Sequence, residues 1–513
     1  MDHLKPIVTV TSGGIQTTQA DAIIVNLFEG VTQPAGATGV VNQALAGAIA
    51  ELIQLGDFQG KLGETAVLYP RGAIPARRVI VVGLGPAKTF DLEGVREASG
   101  AAIKQARTLG AAHVATIIHG GGLGGLDLTA AAQAVVEGSL LALYRYNAPG
   151  IKQAEKKKEA HQIEQLTLIE FDAGKIAAIQ AGATSGEAIA AAVWLARDLV
   201  NQPSNVATPR AIVAAAEAMA AEVGLACRVL DEAALRQEGM NLFLAVTQGA
   251  SEPTKFLILE HKPEGATERR PIVLIGKGVT FDTGGHDLKI LESMVRMKGD
   301  MAGAAAVIGT LQVAATLGLP RHIIGLAPLG ENRLSDTAYK PSDVFTAKNG
   351  VSVEVTSPDS EGRLLLADSL CYADSLQPEA VIDVATLTAG KMYALGYRTS
   401  ALFATDDHLS EALLAAGQKV GEPLWRLPLD PAYDRQLASE VADVKNEGGK
   451  WGSAVNAARF LTHFVADWPW AHLDIAAGEF YDDSPWHTPR SYLTAGATGL
   501  PLRTLVEFLR SRS

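Results

Sequence analysis

Cysteine is nearly missing from this chain: only Cys227 and Cys371 occur in 513 residues. Two cannot make a disulfide framework, so a reducing cytoplasm is the expected setting. Zinc-peptidase patterns are missing too, since none of the eleven histidines falls in a His-Glu-x-x-His run. No Gly-x-Ser-x-Gly occurs, which removes the serine-hydrolase reading that His119-Gly-Gly-Gly122 would otherwise invite. Positive charge is in deficit, with 44 Lys and Arg against 56 Asp and Glu and a net charge of −12. That balance gives no basic face for nucleic acid. No apolar run is read as long enough for a membrane span, and the start, Met1-Asp-His-Leu-Lys-Pro, lacks the charged-then-apolar pattern of an export signal. Tandem repeats and low-complexity tracts are absent. What is present, 48% hydrophobic and 19% charged residues, describes a soluble globular protein. Its length favours two domains.

The first part alternates strand-like runs (Ile7–Val10, Ala22–Leu27, Thr65–Tyr69, Arg78–Val82, Val114–Ile118) with helical spacing (Gly39–Leu55, Leu92–Leu109, Leu128–Tyr146). Such alternation predicts an α/β sheet covered by helices. Gly83-Leu-Gly85-Pro-Ala-Lys88 lacks the third glycine of a dinucleotide turn, and His119–Gly122 lacks its esterase context, so both read as plain glycine turns. The stretch Gln153–Gln165, with Lys156–Lys158 among glutamates, reads as a solvated surface segment. Ala183–Leu199 is a long Ala-rich helix, closed by Asn201-Gln-Pro203, that suits a domain boundary. The expected division is residues 1–175, a linker helix region 176–205, and 206–513. In the last part, Phe256–Glu260 and Pro271–Ile275 flank a polar turn, Lys262–Arg270, and are expected to pair as antiparallel neighbours. Ala302–Gly318 reads as a deeply buried helix.

Chemistry concentrates between Lys277 and Arg363. Pro271–Ile275 reads as a buried strand ending at Lys277, and Val351–Val355 as a second strand preceding Asp359 and Glu361. Open α/β sheets place their sites at such strand ends. Residues two apart in extended backbone point the same way, so both carboxylates can face one ion. Oxygen ligands with an amine suit Mg²⁺, Mn²⁺ or Zn²⁺, and shared carboxylates suit a pair of ions. Any single acidic residue is more often a solvated loop charge, but four carboxylates and two lysines set around Gly-Gly turns argue against that here.

These runs, together with Ala196–Asn205, Met297–Ala306, Asp383–Thr388 and His472–Ala476, resemble the leucyl (cytosol) aminopeptidases over almost all of residues 180–513. The resemblance implies a smaller N-terminal α/β domain followed by a larger α/β catalytic domain with a central mixed sheet. It implies two divalent ions per chain (zinc or manganese, with magnesium or cobalt as further options) held by Lys277, Asp282, Asp300, Asp359 and Glu361. Lys289 and Arg363 would be catalytic, Lys289 beside the developing oxyanion and Arg363 holding a bicarbonate base. Lys277 must then bind as the neutral amine; without metal it is expected to be cationic and to pair with Asp282 or Asp300. Peptides with a free N-terminus are the implied substrates, and a homohexamer of two stacked trimers the implied assembly. A non-catalytic hexameric scaffold or DNA-binding role is the alternative; loss of a ligand, of Lys289 or of Arg363 would have favoured it, and none is lost.

The chain departs from the family's usual Asn-Thr-Asp-Ala-Glu-Gly-Arg at Ser357, Pro358 and Ser360. By the resemblance, Met297, Ser357, Thr386, Ala389, Ala476 and Glu479 lie at or near the pocket for the first side chain of the substrate. Glu479 in that pocket would favour Arg or Lys there. The competing expectation is that a longer segment, Gly478–Pro489, carries Glu479 out of it. His286, four residues past Asp282, is expected to be a loop histidine hydrogen-bonded to backbone, and His472 structural.

Overall fold

The computed structural model describes residues 5–122, 124–148, 161–265 and 270–512. Most of the polar stretch Gln153–Gln165, including Lys156–Lys158, and part of the Lys262–Arg270 turn lie outside them. The chain forms two compact units, residues 1–191 with 489–494, and residues 192–488 with 495–513. The division falls inside the helix Ile176–Asn201. By length and composition this helix could cross a membrane, contrary to the expectation that no run is long enough, but half of its apolar window is buried within the protein.

In the first unit six strands run in the order Ile7–Ser12, Gln165–Glu170, His113–Thr116, Ala22–Leu27, Val79–Gly83, Thr65–Leu68. All neighbours are parallel except the last pair. Ile23, Val25, Val79 and Val81 project from one face of the sheet onto Ile49 and Phe58, as alternation along a strand requires. The single helix expected over Gly39–Leu55 is two, Gly36–Ala44 and Ala48–Leu55, meeting at 103°. The break is backbone-driven: Ala46 and Gly47 take positive φ angles of 53° and 92°, which interrupt the hydrogen-bond ladder of any helix.

The second unit is built on a nine-stranded mixed sheet. Its centre is four parallel strands, Trp470–Asp474, Ala380–Ala385, Ile272–Gly276 and Ile323–Asn332 in that order. Lys255–His261 and Ile272–Gly276 are not neighbours, as the sequence suggested. Ile323–Asn332 lies between them, antiparallel to the first and parallel to the second. Its ten buried residues fill the slot that a short hairpin turn would have closed. Gly278–Asp282 continues past Lys277 and pairs with the far end of the same long strand. Val351–Val355 does not enter this sheet either. Ser352–Glu354 belongs to a small three-stranded sheet with Val344–Thr346 and Val444–Lys445.

Buried helices cover both faces. Ile324 and Leu326 join the core that holds Leu364–Leu366 of the helix Gly362–Asp374, whereas Gly325 between them faces Val307 and Leu311 of the helix Ala302–Thr316. That second helix is short on side chains for a reason. A Cβ on Gly303 would stand 2.2 Å from the Val384 carbonyl, and one on Gly276 2.4 Å from the Gly303 carbonyl. Helix and sheet therefore meet backbone to backbone, just where Lys277 leaves the sheet.

Candidate functional site

The carboxyl ends of the four central strands deliver Asp474, Ala385, Lys277 and Asn332 to one edge of the sheet, where open α/β sheets carry their ligands. Main-chain bonds on both sides fix Lys277: its N–H donates to the Val384 carbonyl at 2.9 Å, and its carbonyl accepts from Ala304 N–H at 2.9 Å. Its Nζ lies 2.7 Å from Asp300 Oδ1, 2.7 Å from Glu361 Oε1 and 3.1 Å from the Thr386 carbonyl. The expected cationic pairing thus forms with Asp300 and with Glu361, not with Asp282. Burial alone would depress the ammonium, but Asp300, Glu361 and Asp282 outweigh it and hold it above its ordinary value.

Asp282 ends the strand Gly278–Asp282. Its Oδ1 accepts from Gly284 N–H and Asn332 Nδ2, both at 2.8 Å, while its Oδ2 lies 2.8 Å from Lys289 Nζ. Lys289 also meets Asp359. Asp282, Asp359 and Glu361 bring one oxygen each within 4.8 Å of one another. The convergence has a different cause from the one the sequence suggested. Glu361 is helical, with φ −74° and ψ −40°, at the start of the helix Gly362–Asp374. A turn closed by Ser360 N–H on the Ser357 carbonyl precedes it. A turn followed by a helix start, not extended backbone, aims both carboxylates. Tyr339 and Asn332 hold this turn by donating to the Pro358 carbonyl at 2.5 and 3.0 Å.

The electrostatics are unbalanced. Four carboxylates face two ammonium groups, and burying surplus charge is costly. Burial pushes Asp300 well above the ordinary carboxylate range and raises Asp282, and it brings Asp359 up to about 7. Asp300 Oδ2 is sealed from solvent without a hydrogen-bond partner. Glu361 Oε1 and Asp359 Oδ1 have a lysine in ion-pair contact but no hydrogen bond. Orphaned, buried carboxylate oxygens beside an amine are a donor set that fits divalent cations.

These groups line a cleft of about 790 Å³. Met297, Thr386, Ala389, Ala476 and Glu479 line it as well. Ser357 does not; its hydroxyl bonds Asp287 Oδ2 at 2.8 Å. Thr386 is engaged with the acidic cluster, donating its hydroxyl to Asp300 Oδ1 at 2.7 Å. Arg363 is buried behind the cleft wall. Its Nη1 donates to the Asn446 carbonyl at 2.6 Å and lies 3.3 Å from Glu447, while its Nε has no partner. His286 is exposed, outside the cleft lining, and makes no hydrogen bond among the described residues, so the backbone bond expected for it does not form. His472 is fully buried against Asp383, Nδ1 to Oδ1 2.5 Å.

Two placements were expected for Glu479, in the pocket or carried out of it by Gly478–Pro489; Phe480–Tyr481 pairs with Gly496–Ala497, and Glu479 lines the cleft. The residue as a whole is half-buried, but its Oε2 is sealed and unpartnered. Burial raises the carboxyl to about 7 against the opposing pull of Lys391 and Arg296. Lys391 is among the residues that sequence reasoning missed. Its Nζ donates to the Ala476 and Gly396 carbonyls at 2.8 and 2.9 Å, fixing the turn before Glu479. Asn332 was missed also; its only sequence signal is its place at the end of a long apolar run.

The cleft is thus lined by a cluster of buried carboxylates and amines whose donor atoms fit divalent cations. Residues 194–506 match the cytosol aminopeptidase family, catalytic domain, and residues 24–149 the N-terminal domain of the same family. The "probable cytosol aminopeptidase" of Syntrophotalea carbinolica is 41% identical, covering 91% of this chain and 93% of that protein. That of Roseiflexus castenholzii is 40% identical, covering 98% and 99%. Among solved structures, the bottromycin maturation enzyme BotP in complex with Mn superposes with a TM-score of 0.83 at 34% identity, covering 96% of this chain and 99% of that one. A tomato leucine aminopeptidase variant gives 0.85 at 28% identity, covering 99% and 97%. The chain belongs to the cytosol aminopeptidase family, and is a peptidase.

Proposed function

We propose that the cleft releases the N-terminal residue from peptides in the cytoplasm, using two divalent ions held by Lys277, Asp282, Asp300, Asp359 and Glu361. The observation that carries this is the set of buried carboxylate oxygens left without hydrogen bonds beside an amine. When bound, such a pair lowers the pKa of a shared water toward neutrality and gives the substrate's free amine a ligand position. Zinc or manganese suits the mixed oxygen and nitrogen donors, with magnesium and cobalt as further options.

The chain's own groups divide the remaining work. Lys277 joins the donor set by giving up its proton, since only the neutral amine has a lone pair. Lys289 places an ammonium beside Asp282 and Asp359, where it can stabilise an oxyanion that develops only in the transition state. By the family resemblance Arg363 would hold a bicarbonate that accepts the proton of the attacking water, a role that requires its sealed Nε to open toward the cleft. Glu479 sets the substrate class, favouring Arg or Lys as the residue released. A homohexamer is the assembly that the family resemblance supports.

A panel of aminoacyl amides assayed with Mn²⁺, with Zn²⁺ and after chelation tests the activity. Asp282→Ala and Glu361→Ala are expected to abolish turnover and to bring bound metal below two per chain. Full metal content in both variants by elemental analysis would refute the ligand assignment.

A further inference from the structure

The wall that carries Glu479 has a bend that its own sequence disfavours. Ala477 takes a left-handed φ of 65°, where an alanine methyl crowds the backbone and glycine would sit without cost. A residue held in this region marks a place that its surroundings fix. Gly478 N–H donates to the Ile475 carbonyl at 2.9 Å, and Thr498 Oγ1 to the Gly478 carbonyl at 2.8 Å. On the other side of the bend, Ala476 N–H donates to Asp474 Oδ1 at 3.1 Å, and the Ala476 carbonyl accepts from Lys391 Nζ at 2.8 Å. Asp474 Oδ2 in turn accepts from Thr388 Oγ1 at 2.6 Å, and Thr388 caps the helix Ala389–Leu395 by accepting from Lys391 N–H at 3.1 Å. Strand end, helix and wall form one hydrogen-bonded brace, and Lys391 enters it through both its main chain and its side chain.

The fold alone gives little reason for a lysine here. Lys391 is fully buried and lies in the first turn of its helix, where the dipole disfavours a cation. Its Nζ bonds two carbonyls, those of Ala476 and Gly396, and no carboxylate is in ion-pair contact with it among the described residues. An apolar side chain of similar volume would fill the space at less cost. Burial pulls the ammonium down, and Asp474 and Glu479 act against that pull. On Glu479, Lys391 acts from the helix, Arg296 from the turn before Met297–Gly299 and Asp474 from the end of Trp470–Asp474. Arg296 is exposed and bonded to Asp482 at 2.7 Å, so Lys391 is the buried cation of this group.

We propose that Lys391 is the positioning residue of the specificity pocket: it holds the bend at Ala477 that presents Glu479 to the cleft, and its ammonium is the counter-charge of the Glu479 carboxylate while no substrate is bound. This rests on the reading that Glu479 sets the substrate class. Removing Lys391 then causes two separable losses. Without the brace the bend relaxes, and the carboxylate no longer meets the first side chain of the substrate. Without the ammonium, burial acts on Glu479 less opposed, and the carboxyl ionises only at higher pH.

The ratio of kcat/KM for an Arg amide to that for a Leu amide, followed from about pH 6 to about pH 9 in the full-length, metal-loaded protein, tests this. In Lys391→Met the ratio at the alkaline end is expected to fall at least roughly fivefold, and the midpoint of its rise to move up by at least about half a pH unit. Adding Ala477→Gly, which removes the strain, should restore the ratio roughly threefold or more but leave the midpoint raised. A lysine that only fills space would lower both amides together and move neither ratio nor midpoint, which would overturn the proposal. Should Lys391→Met show no cooperative melt, Lys391→Arg decides. It keeps the charge and the donors, so its midpoint should stay within about 0.3 pH unit of the parent's, and a rise of about half a pH unit or more would overturn the proposal. A parent ratio that follows pH, with Lys391→Met at the parental ratio and midpoint, overturns it while leaving Glu479 as the specificity residue. A parent ratio flat with pH removes the Glu479 reading and this proposal together.

Discussion

Replacing Glu479 by Gln removes a charge while keeping the shape of the cleft wall, and the structure sets the size of the effect. Raising a carboxyl from its ordinary 4.5 to about 7 corresponds to about 3 kcal/mol of lost preference for the ionised form. A cationic substrate side chain reaching Glu479 recovers part of that loss as a charge-assisted hydrogen bond, about 1.5–3 kcal/mol, or roughly 10- to 150-fold. The sign with pH follows from the raised value. Below about 7 the carboxyl is protonated and the pocket neutral; above it the carboxylate forms and attracts cations. Against burial, the backbone N–H of Glu479, Lys391 and Arg296 favour the anion, and Asp474 opposes it. The ratio of kcat/KM for Arg and Lys amides to that for Leu and Met amides is therefore expected to rise between pH 6 and pH 8.5 in the parent. In Glu479→Gln it should be low and flat. A ratio that neither follows pH nor changes on substitution refutes the placement of Glu479 in the specificity pocket.

Two further substitutions probe the acidic cluster. Lys289→Ala should cut kcat by roughly 10²- to 10³-fold with metal content intact, because the ammonium acts on the transition state. A fall in bound metal by elemental analysis would make Lys289 a structural partner of Asp282 instead. Gly362→Ala should drive a methyl to 2.6 Å from Lys277 Cε, displacing the lysine at a cost of about 1–3 kcal/mol. A thermal melt and a peptidase assay read this, and an unchanged melting temperature with full turnover would contradict the tight packing of Lys277 against that turn.

Lys277, Asp282, Asp300, Asp359 and Glu361 could be picked out as a group because they sit in two short runs dense in charge and glycine. Their arrangement could not. Their spacing of two suggests extended backbone, whereas a turn and a helix start aim Asp359 and Glu361. Asn332 reaches Asp282 across fifty positions of sequence, a contact that no local pattern encodes. Pairing Lys255–His261 with Ile272–Gly276 followed from their closeness along the chain. The strand that separates them arrives some fifty residues later, and only the competition of whole strands for buried slots decides such an order. Helix periodicity likewise ran through Ala46 and Gly47, since a left-handed φ at alanine leaves no mark on the hydrophobic pattern.

The contact of backbone with backbone at Gly276 and Gly303 has a further consequence. Where helix and sheet touch without side chains between them, no substitution can adjust their spacing by small steps; a methyl group is already too much. Lys277 is thereby anchored to a joint that admits no intermediate sizes. The segment Ala476 to His487 has only the two-residue ladder Phe480–Tyr481 as regular structure, and Trp486 within it is exposed. The cleft thus joins a fixed die to a less regular plate, and recasting the preference of this peptidase is a matter of redrawing one short irregular segment while the reacting groups stay where the main chain has pinned them.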